Sequence, residues 1–476
     1  MSSPFVVVGG DAAGLSAASK CKREDPDREV VVYEKGELIS YAHCGMPYYV
    51  KGEVDSVGDL LSLSVSDIEE RGIDLYRNHE VVSVDPQRQV VRLRAPDGEF
   101  EQLYGDLLIA TGARAVTSPV PGTDLDDVFT MHHMDSAGAL RALLSLPGET
   151  DPDTFDGGYV DIDVNGYLAR DPPETVAIVG GGYVGVEMAE AFRAWDVETH
   201  LYQRSPWPVP PFGDAVGDRV ASALRDNGVE PHLDTGVRAL AGEERVERVE
   251  AVDGTVEVDA VLVGIGIRPN TALLDGTGIE LGESGAIAID GFGRTSLPDV
   301  YAAGDCAEKT HAVTGEPDWV PLGLTANRAG RAIGQTVAGD PEPVGEIAGT
   351  AVLKVFDLEC GRTGLLDHDS AWEAGFDPVS ETVTAGSRSG YYPGNAETTV
   401  TLVADRETGR LLGAAIAGTD RAALRINHLA TALENAMTVS ELERLDLAYA
   451  PPFSPVWDPT LVAAKVLSGT LSLQSV

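Results

Sequence analysis

The chain has 476 residues, 43% of them hydrophobic, with 76 acidic against 35 basic side chains and a net charge of −41. This length predicts two or three domains, the acidic balance argues against nucleic-acid binding, and no apolar stretch is long enough to span a bilayer. Because only seven of the basic residues are lysines, the surface is typical of a halophilic, cytoplasmic protein whose self-repulsion is screened by salt.

The first predicted elements are a strand, a glycine turn and an alanine-rich helix in FVVVGGDAAGLSAASKC, residues 5–21. Gly9 and Gly14 take the first and third positions of the dinucleotide-binding fingerprint, and Asp11 stands at the second, where glycine is usual. The next strand, VVVYEK, ends in Glu34, where a carboxylate would bind ribose hydroxyls. Because a pyrophosphate would repel its carboxylate, Asp11 is expected to point away or to cap the helix.

The pattern returns in TVAIVGGGYVGVEMAEAF, residues 175–192. Here all three fingerprint positions are glycine: Gly180, Gly182 and Gly185. The following strand, VETHLYQR, ends in Gln203 and Arg204 and carries no acid at its end. Arg204 is compatible with a solvated surface side chain, but an arginine here can hold a 2′-phosphate, so NADPH is favoured over NADH.

Further segments continue this pattern along the chain. They include Ala110-Thr111-Gly112, Gly266-Ile267-Arg268-Pro269-Asn270, Ala303-Gly304-Asp305 and PLGLTANRAGRAIG at 321–334. With these motifs the chain resembles the FAD-dependent pyridine nucleotide–disulfide oxidoreductases nearly end to end. The resemblance implies an α/β fold with two Rossmann-like dinucleotide-binding domains, one for FAD and one for NAD(P)H, and an α+β C-terminal dimerisation domain of a homodimer.

The resemblance also implies domain boundaries and cofactor contacts. The FAD-binding domain would cover 1–116 and 270–349, the NAD(P)H-binding domain 117–269, and the dimerisation domain 350–476. The implied FAD contacts are Gly9, Gly14, Glu34, Lys35, Val81, Ala110, Thr111, Gly112, Asp305 (on the ribityl chain) and Ala326. The implied NAD(P)H contacts are Gly180, Gly182, Tyr183 (over the nicotinamide pocket), Gly185, Arg204 and Gly266. A segment rich in Asp, Gly and Pro, about 149–173, fits no element and is expected to be an acidic surface insertion.

Cys44, in SYAHCGMPYY, is the candidate redox centre, although an unpaired cysteine is often an inert hydrophobe. The four cysteines have no paired spacing, which predicts neither a disulfide framework nor a zinc site. The stretch resembles the single-cysteine branch of the family, which includes coenzyme A-disulfide reductase, NADH oxidase and NADH peroxidase. One thiol can cycle through a mixed disulfide or a sulfenic acid. A helix beginning at GMPYYV is expected to lower the pKa of Cys44.

Two features favour a disulfide over an oxygen species as substrate. Oxidase and peroxidase members carry a histidine in the first glycine turn, where this chain has Ala12. The first helix carries Lys20 and Arg23 on one face, matching the phosphate-binding cluster of the coenzyme A-disulfide reductases, and Ser40, Tyr41 and His43 match other positions that contact coenzyme A. The cluster is also compatible with a solvated basic turn, and His43 with a substitute base.

Two C-terminal segments, SRSGYYPG at 387–394 and LAYAPPFSPVWDP at 447–459, resemble segments that reach the partner's cysteine across the family's dimer. Tyr392 and Tyr449 are the predicted proton donors to a departing thiolate. The sequence thus predicts an NAD(P)H-dependent reductase of a small disulfide, with coenzyme A disulfide favoured. An NAD(P)H oxidase or peroxidase, a persulfide or polysulfide reductase, and a flavin-bearing redox sensor remain alternatives.

Overall fold

The computed structural model describes residues 3–145, 159 and 164–474. Up to residue 145 its elements are β1 (Phe5–Val8), α1 (Ala12–Glu24), β2 (Val30–Tyr33), α2 (Met46–Lys51), α3 (Val65–Glu70), β3 (Asp74–Tyr76), β4 (Glu80–Asp85), β5 (Val90–Ala95), β6 (Gly98–Leu103), β7 (Asp106–Ile109), β8 (Ala113–Ala115), β9 (Val128–Phe129) and α4 (Met134–Leu144). Residues 164–299 hold α5 (Val164–Leu168), β10 (Thr175–Val179), α6 (Tyr183–Ala194), β11 (Glu198–Tyr202), α7 (Asp214–Asp226), β12 (Val229–His232), β13 (Val237–Ala241), β14 (Arg248–Ala251), β15 (Thr255–Glu257), β16 (Ala260–Val263) and β17 (Ile267–Pro269).

The remaining elements complete the first unit and build the third. They are β18 (Val300–Ala302), β19 (Lys309–Thr310), β20 (Pro317–Asp318), α8 (Gly323–Val337), β21 (Ala351–Val355), β22 (Leu358–Gly364), α9 (His368–Glu373), β23 (Pro378–Gly386), β24 (Glu397–Asp405), β25 (Leu411–Gly418), α10 (Ile426–Glu434), α11 (Val439–Leu442) and α12 (Pro459–Gln474). Within the described ranges, no helix combines the length and the apolar character needed to cross a membrane.

The first unit is built on a parallel sheet in the order β18-β7-β1-β2-β3. Its central strands are runs of buried apolar residues, as expected when both faces of a parallel sheet are covered. On one face α1 packs closely on α8. The contact is so close that a Cβ at Gly330 would lie 2.1 Å from the carbonyl oxygen of Ala13, and one at Gly334 would lie 2.2 Å from that of Ala17. These glycines let the two backbones meet, which fixes the glycine turn before α1.

The second unit repeats this plan in the parallel order β12-β11-β10-β16-β9. An antiparallel sheet, β13-β14-β15, covers one of its faces, and their shared core includes Tyr202, Val249 and Val261. Strand β12 lies at one edge of the parallel sheet and pairs in parallel with β11, so that Tyr202 lies opposite His232. The two fingerprint glycine turns follow β1 and β10, the central strands of the two parallel sheets. Both turns thus lie at the carboxyl end of a parallel strand, where dinucleotides bind.

The third unit is an antiparallel sheet in the order β21-β22-β25-β24-β23. Phe356 adopts a left-handed φ of 52° and divides the segment AVLKVFDLE into the hairpin β21–β22. Helices α9, α10, α11 and α12 accompany this sheet in the third unit. The unit thus has the α+β character that the resemblance implies.

Much of the predicted insertion at 149–173 lies outside the described residues. The expectation that it fits no element is wrong for its last part, where α5 forms. The Tyr167 ring packs against Phe129 with centroids 5.4 Å apart, and Arg170 donates to both carboxylate oxygens of Asp127 at 2.6 and 2.7 Å. These contacts tie the end of the insertion to the second unit.

Candidate active site

Cys44 lies in a 3-10 turn, His43–Gly45, immediately before α2. All four cysteines are free thiols, and Cys44 is exposed whereas the other three are buried. Burial raises the pKa of Cys21 to about 11 and that of Cys360 to about 12, and it also raises the pKa of Cys306. Because thiolates are the reactive form, those three cysteines are inert near neutral pH. Cys44 is the thiol that a dissolved substrate can reach.

The expected lowering of the Cys44 pKa is wrong for the groups that the chain supplies. The low-polarity surroundings of the sulfur raise this pKa, and the negative charges of Glu187 and Asp305 raise it further. Helix α2 does begin next to the cysteine, but it has only six residues. The dipole of so short a helix does not offset two carboxylates.

Glu187 is a site residue that the motifs did not reveal. It lies on α6, one helical turn after Tyr183, and the Tyr48 hydroxyl donates to its carboxylate at 3.4 Å. Burial raises the pKa of Glu187 to about 7. The sequence feature that could have indicated Glu187 is its position four residues after Tyr183, which places both side chains on one face of the helix. A carboxyl group that titrates near neutral pH thus lies close to the reactive thiol.

A second carboxylate on α6 joins the three units. Glu190 is buried and accepts from Lys51 Nζ at 2.7 Å, Lys354 Nζ at 2.6 Å and the Phe356 backbone N–H at 2.7 Å. Lys51 is the last residue of α2, the helix that follows the turn containing Cys44, and Lys354 lies on β21. Although burial alone would raise it, these donors lower the pKa of Glu190. Helix α2, which directly follows the turn that contains Cys44, is thereby fixed against both other units.

The first glycine turn forms a close-packed nucleotide cradle. Gly9 has φ +114°, and a Cβ there would lie 2.2 Å from the Ala110 carbonyl oxygen. A Cβ at Gly14 would lie 1.9 Å from the Gly9 carbonyl oxygen. The buried Glu34 carboxylate accepts from the Gly10 N–H at 2.7 Å, so it faces this turn as predicted from its position. It also accepts from the Tyr159 hydroxyl, a contact from the insertion that the sequence did not predict.

The other predicted FAD-binding residues surround the same strand ends. Gly112, with φ +64°, has open space where a Cβ would project, and Asp305 follows β18. Burial raises the pKa of Asp305. Thr111 donates through its hydroxyl to the Asn270 carbonyl at 2.6 Å. The remaining residues are a half-exposed Lys35, whose ammonium pairs with Glu80 at 3.2 Å, and the buried Val81 and Ala326.

These observations test the site against FAD. The open space at Gly112 and the buried acceptor Glu34 suit a ribose and a phosphate chain, so the residues fit a bound dinucleotide.

The second glycine turn has the same construction. Gly180 has φ +112° and would place a Cβ 2.3 Å from the Gly264 carbonyl oxygen, while a Cβ at Gly185 would lie 1.9 Å from the Gly180 carbonyl oxygen. Gly182 has open space in front of α6. The Gln203 side-chain oxygen accepts from the Gly181 N–H at 3.0 Å. This turn therefore also fits a dinucleotide.

The other predicted NAD(P)H contacts lie around this turn. Arg204 is exposed directly after Gln203. Tyr183 lies beside Phe212, with ring centroids 5.4 Å apart, and faces the partly buried Arg362 of the third unit. Gly266 has φ +117° and open space at its Cβ position.

Asp11 is expected either to point away from the pyrophosphate or to cap α1, and the structure fully shows neither. It occupies the N-cap position of α1 but makes no side-chain cap hydrogen bond; its carboxylate instead pairs with His43 Nε2. Burial disfavours the charged imidazole, yet the Asp11 carboxylate outweighs it and raises the pKa of His43. The imidazole also stacks on Tyr41 with centroids 4.0 Å apart. The Asp11 carboxylate thus stabilises the protonated imidazole of His43 relative to the neutral one.

The predicted coenzyme A-binding residues are placed less uniformly. Lys20 is buried and forms an ion pair with Glu24, whereas Arg23 is exposed on the same helix. Arg71, which the motifs did not reveal, donates to Ser19 at 2.9 Å and so adds a second guanidinium beside this helix. Ser40 has a left-handed φ of 51°. The exposed cations of this surface are arginines, and Lys20 is largely engaged within the protein.

The two predicted tyrosines belong to an apolar surface of the third unit. Tyr449 is 50% exposed and its neighbours Phe453 and Val456 are 62% and 66% exposed, while Tyr391, beside the half-buried Tyr392, is 78% exposed. Exposed apolar side chains at this density are typical of a contact face.

Comparison with known proteins decides the family. The profile of the pyridine nucleotide-disulphide oxidoreductases matches residues 3–328, and that of their dimerisation domain matches residues 350–459. The chain belongs to this family. The resemblance seen in the motifs and the predicted fold class are thereby confirmed, and the oxidoreductase carries the family's dimerisation domain.

Three named relatives show which members of the family this chain is similar to. The oxidoreductase is 37% identical to an NAD(P)H coenzyme A polysulfide/persulfide reductase of Pyrococcus horikoshii, over 98% of this chain and 99% of the relative. It is 27% identical to a coenzyme A disulfide reductase of Staphylococcus aureus, over 94% and 96% of the two chains. Among solved structures, an NAD-dependent persulfide reductase from A. fulgidus superimposes with a TM-score of 0.90 at 32% identity, covering 98% of this chain and 83% of that one.

Proposed function

We propose that the oxidoreductase uses NAD(P)H, through FAD, to reduce the sulfur–sulfur bond of a small coenzyme A-linked substrate, with Cys44 as the nucleophile. The observation that carries the proposal is one exposed thiol, Cys44, in a chain whose other three cysteines are buried. With no neighbouring cysteine to complete an internal disulfide, the partner sulfur must come from the substrate.

In the proposed reaction, the Cys44 thiolate attacks one sulfur of the substrate. A bond forms between Cys44 Sγ and that sulfur, the substrate's sulfur–sulfur bond breaks, and the departing thiolate takes up a proton. FAD, when bound, would supply two electrons taken from NAD(P)H. With these electrons the mixed disulfide on Cys44 would be cleaved, which would release the second thiol with a proton and restore the Cys44 thiolate.

Glu187 is placed to hold a proton during this cycle, because its pKa of about 7 lets both protonation states exist at neutral pH. In its neutral form it no longer opposes the negative charge on Cys44.

Coenzyme A disulfide and coenzyme A persulfide are both candidates for the substrate. Both fit the Ala12 turn and the exposed Arg23 beside Arg71, which can hold the phosphates of coenzyme A. The persulfide is supported by the names of the Pyrococcus horikoshii and A. fulgidus proteins. In both cases the coenzyme A portion would meet Ser40, Tyr41 and His43, which lie beside the cysteine.

NADPH is the proposed reductant in preference to NADH. The neutral Gln203 and the exposed Arg204 replace the acid that would repel a 2′-phosphate. We further propose a homodimer in which Tyr392 and Tyr449 reach the partner's cysteine and donate a proton to the departing thiolate.

Anaerobic assay of the FAD-loaded protein tests the proposal. NADPH oxidation is expected with coenzyme A disulfide or persulfide, and the faster of the two identifies the preferred substrate. Cys44→Ser should retain FAD, lose the long-wavelength thiolate-to-flavin absorption of the reduced protein, and lower turnover by about 1,000-fold or more. A Cys44→Ser protein that reduces either substrate at the wild-type rate contradicts the mechanism. Wild-type NADPH consumption that requires oxygen and ignores both substrates would instead establish the oxidase.

A further inference from the structure

Two histidines and three carboxylates cluster at the edge of the second parallel sheet. Strands β11 and β12 pair with His200 opposite Glu230 and Tyr202 opposite His232. Because side chains alternate between the faces of a strand, all four point to the same face. The site around Cys44 uses none of them.

Three of these side chains present ligand atoms to one point. His200 Nδ1 lies 3.1 Å from His232 Nε2 and 3.5 Å from a carboxylate oxygen of Glu230. All three ligand atoms lie within 4.8 Å of one another. An ion with nitrogen and oxygen ligands at about 2.0 Å in a tetrahedral arrangement separates those ligands by about 3.3 Å. Small movements would therefore bring the three atoms to coordination distance.

The remaining nitrogen of each histidine meets a further carboxylate. His232 Nδ1 lies 3.1 Å from Asp253, and His200 Nε2 lies 3.3 Å from Glu198. A metal-binding histidine characteristically directs its second nitrogen to such an acceptor, which fixes its tautomer and orientation. The His232 ring is also stacked on Tyr202, with centroids 4.3 Å apart and planes 9° from parallel. Both imidazoles are thus oriented before any ion binds.

We propose that His200, His232 and Glu230 bind one divalent transition-metal ion of the zinc class. Two neutral imidazoles and a carboxylate are ligands that such ions prefer, and three protein ligands leave a fourth position for water. His200 is buried, whereas the Glu230 side chain is 65% exposed and provides the route of access from solvent. The ion would clamp the edge strand β12 to β11 and, through Asp253, to the loop between β14 and β15.

Zinc binding by the FAD-loaded chain tests this site. Since Cys44 is also a possible zinc ligand, the measurement is made in the Cys44→Ser background, after chelator treatment and dialysis against micromolar ZnCl2. One equivalent of zinc per chain is expected by elemental analysis. His232→Gln and His200→Gln should each remove it. Asp253→Asn, which keeps all three ligands, should weaken binding about tenfold.

Two further variants guard against loss of folding and against nonspecific binding to the acidic surface. Glu230→Gln changes an exposed side chain, so it should retain FAD and the wild-type circular dichroism while losing the bound zinc. Glu257→Gln, which removes an exposed carboxylate of β15 outside the cluster, should leave binding unchanged. Zinc uptake that survives both histidine substitutions, or the absence of uptake by the Cys44→Ser protein, would overturn the proposal. Neither result bears on the reductase reaction, which the background variant already lacks.

Discussion

The two nucleotide-binding units share their backbone contacts and differ in their side chains. In each, the first fingerprint glycine meets a carbonyl oxygen of a neighbouring strand end, at 2.2 Å for a Cβ on Gly9 and 2.3 Å for one on Gly180. In each, the third glycine meets the carbonyl of the first, at 1.9 Å for both Gly14 and Gly185. The fingerprint therefore specifies how strand, turn and helix pack, and it leaves the choice of dinucleotide to other residues.

We propose that this choice is made at the end of the second strand of each unit. A side-chain oxygen accepts from the glycine turn in both, but it belongs to the carboxylate of Glu34 in one and to the amide of Gln203 in the other. A carboxylate accepts hydroxyl donors and repels phosphate, whereas an amide carries no charge and here precedes Arg204. We therefore expect this position to distinguish a ribose with free hydroxyls from one that bears a phosphate.

The largest expected effect comes from filling the two equivalent glycine contacts in turn. Gly14→Ala should abolish FAD retention and all turnover, because a methyl group forced against backbone costs about 3 kcal/mol, or about 100-fold in binding. Gly185→Ala should keep its FAD and lose NADPH-dependent reduction by a similar factor. Visible absorbance and stopped-flow reduction measure the two effects. Loss of FAD in both variants would show that the units are not independent.

The second prediction concerns the ion pairs of Glu190, which connect the three units. Glu190→Gln removes the charge that holds Lys51 and Lys354, and we expect it to lower the free energy of unfolding by about 2 kcal/mol. In urea unfolding, the transition followed by flavin fluorescence and the one followed by circular dichroism should then have midpoints that differ more than in the wild type. Glu53→Gln, which removes the exposed partner of the same Lys51, should cost less than about 0.5 kcal/mol. Equal effects of the two variants would rule out a special role for Glu190.

Reversing the charge at the second strand end sharpens the comparison directly. Gln203→Glu should raise the KM for NADPH about tenfold by repulsion of the 2′-phosphate and leave the KM for NADH nearly unchanged. Arg204→Ala should act in the same direction with a similar or smaller effect. Arg225→Ala, an exposed arginine on α7, serves as the control. A shift that is equal for both nucleotides would refute the assignment of NADPH preference to this position.

How much of this site is predictable depends on whether its residues are close in sequence. Glu34 and the contact of Gly14 with Gly9 follow from one strand–turn–helix–strand run, so spacing alone places them. Glu187 meets the cysteine turn only because α6 crosses α2, and His200 meets His232 only through the register of β11 and β12. Lys20 shows a further limit, since helical spacing places it on the same face as Arg23 but does not show that its ammonium pairs with Glu24. Contacts between distant segments are set by tertiary packing, which local patterns do not report.

The smallest expected effect is a change in the pH dependence of the thiol. With a pKa of about 7 against 4.5 in an ordinary environment, Glu187 is neutral below pH 7 and charged above it. Only the charged form raises the pKa of Cys44, so Glu187→Gln should shift alkylation of Cys44 by iodoacetamide to lower pH, with the difference confined to pH values above about 7.

The same substitution has a consequence for stability. Because folding raises the pKa of this acid, the wild-type protein loses stability as the pH rises from 4.5 through 7, and Glu187→Gln should remove that loss. Glu53→Gln, an exposed acid just after α2, should change neither profile. An unchanged or opposite alkylation profile in Glu187→Gln would mean that the carboxyl does not act on the thiol, and the proton would then have to be held by another group near Cys44.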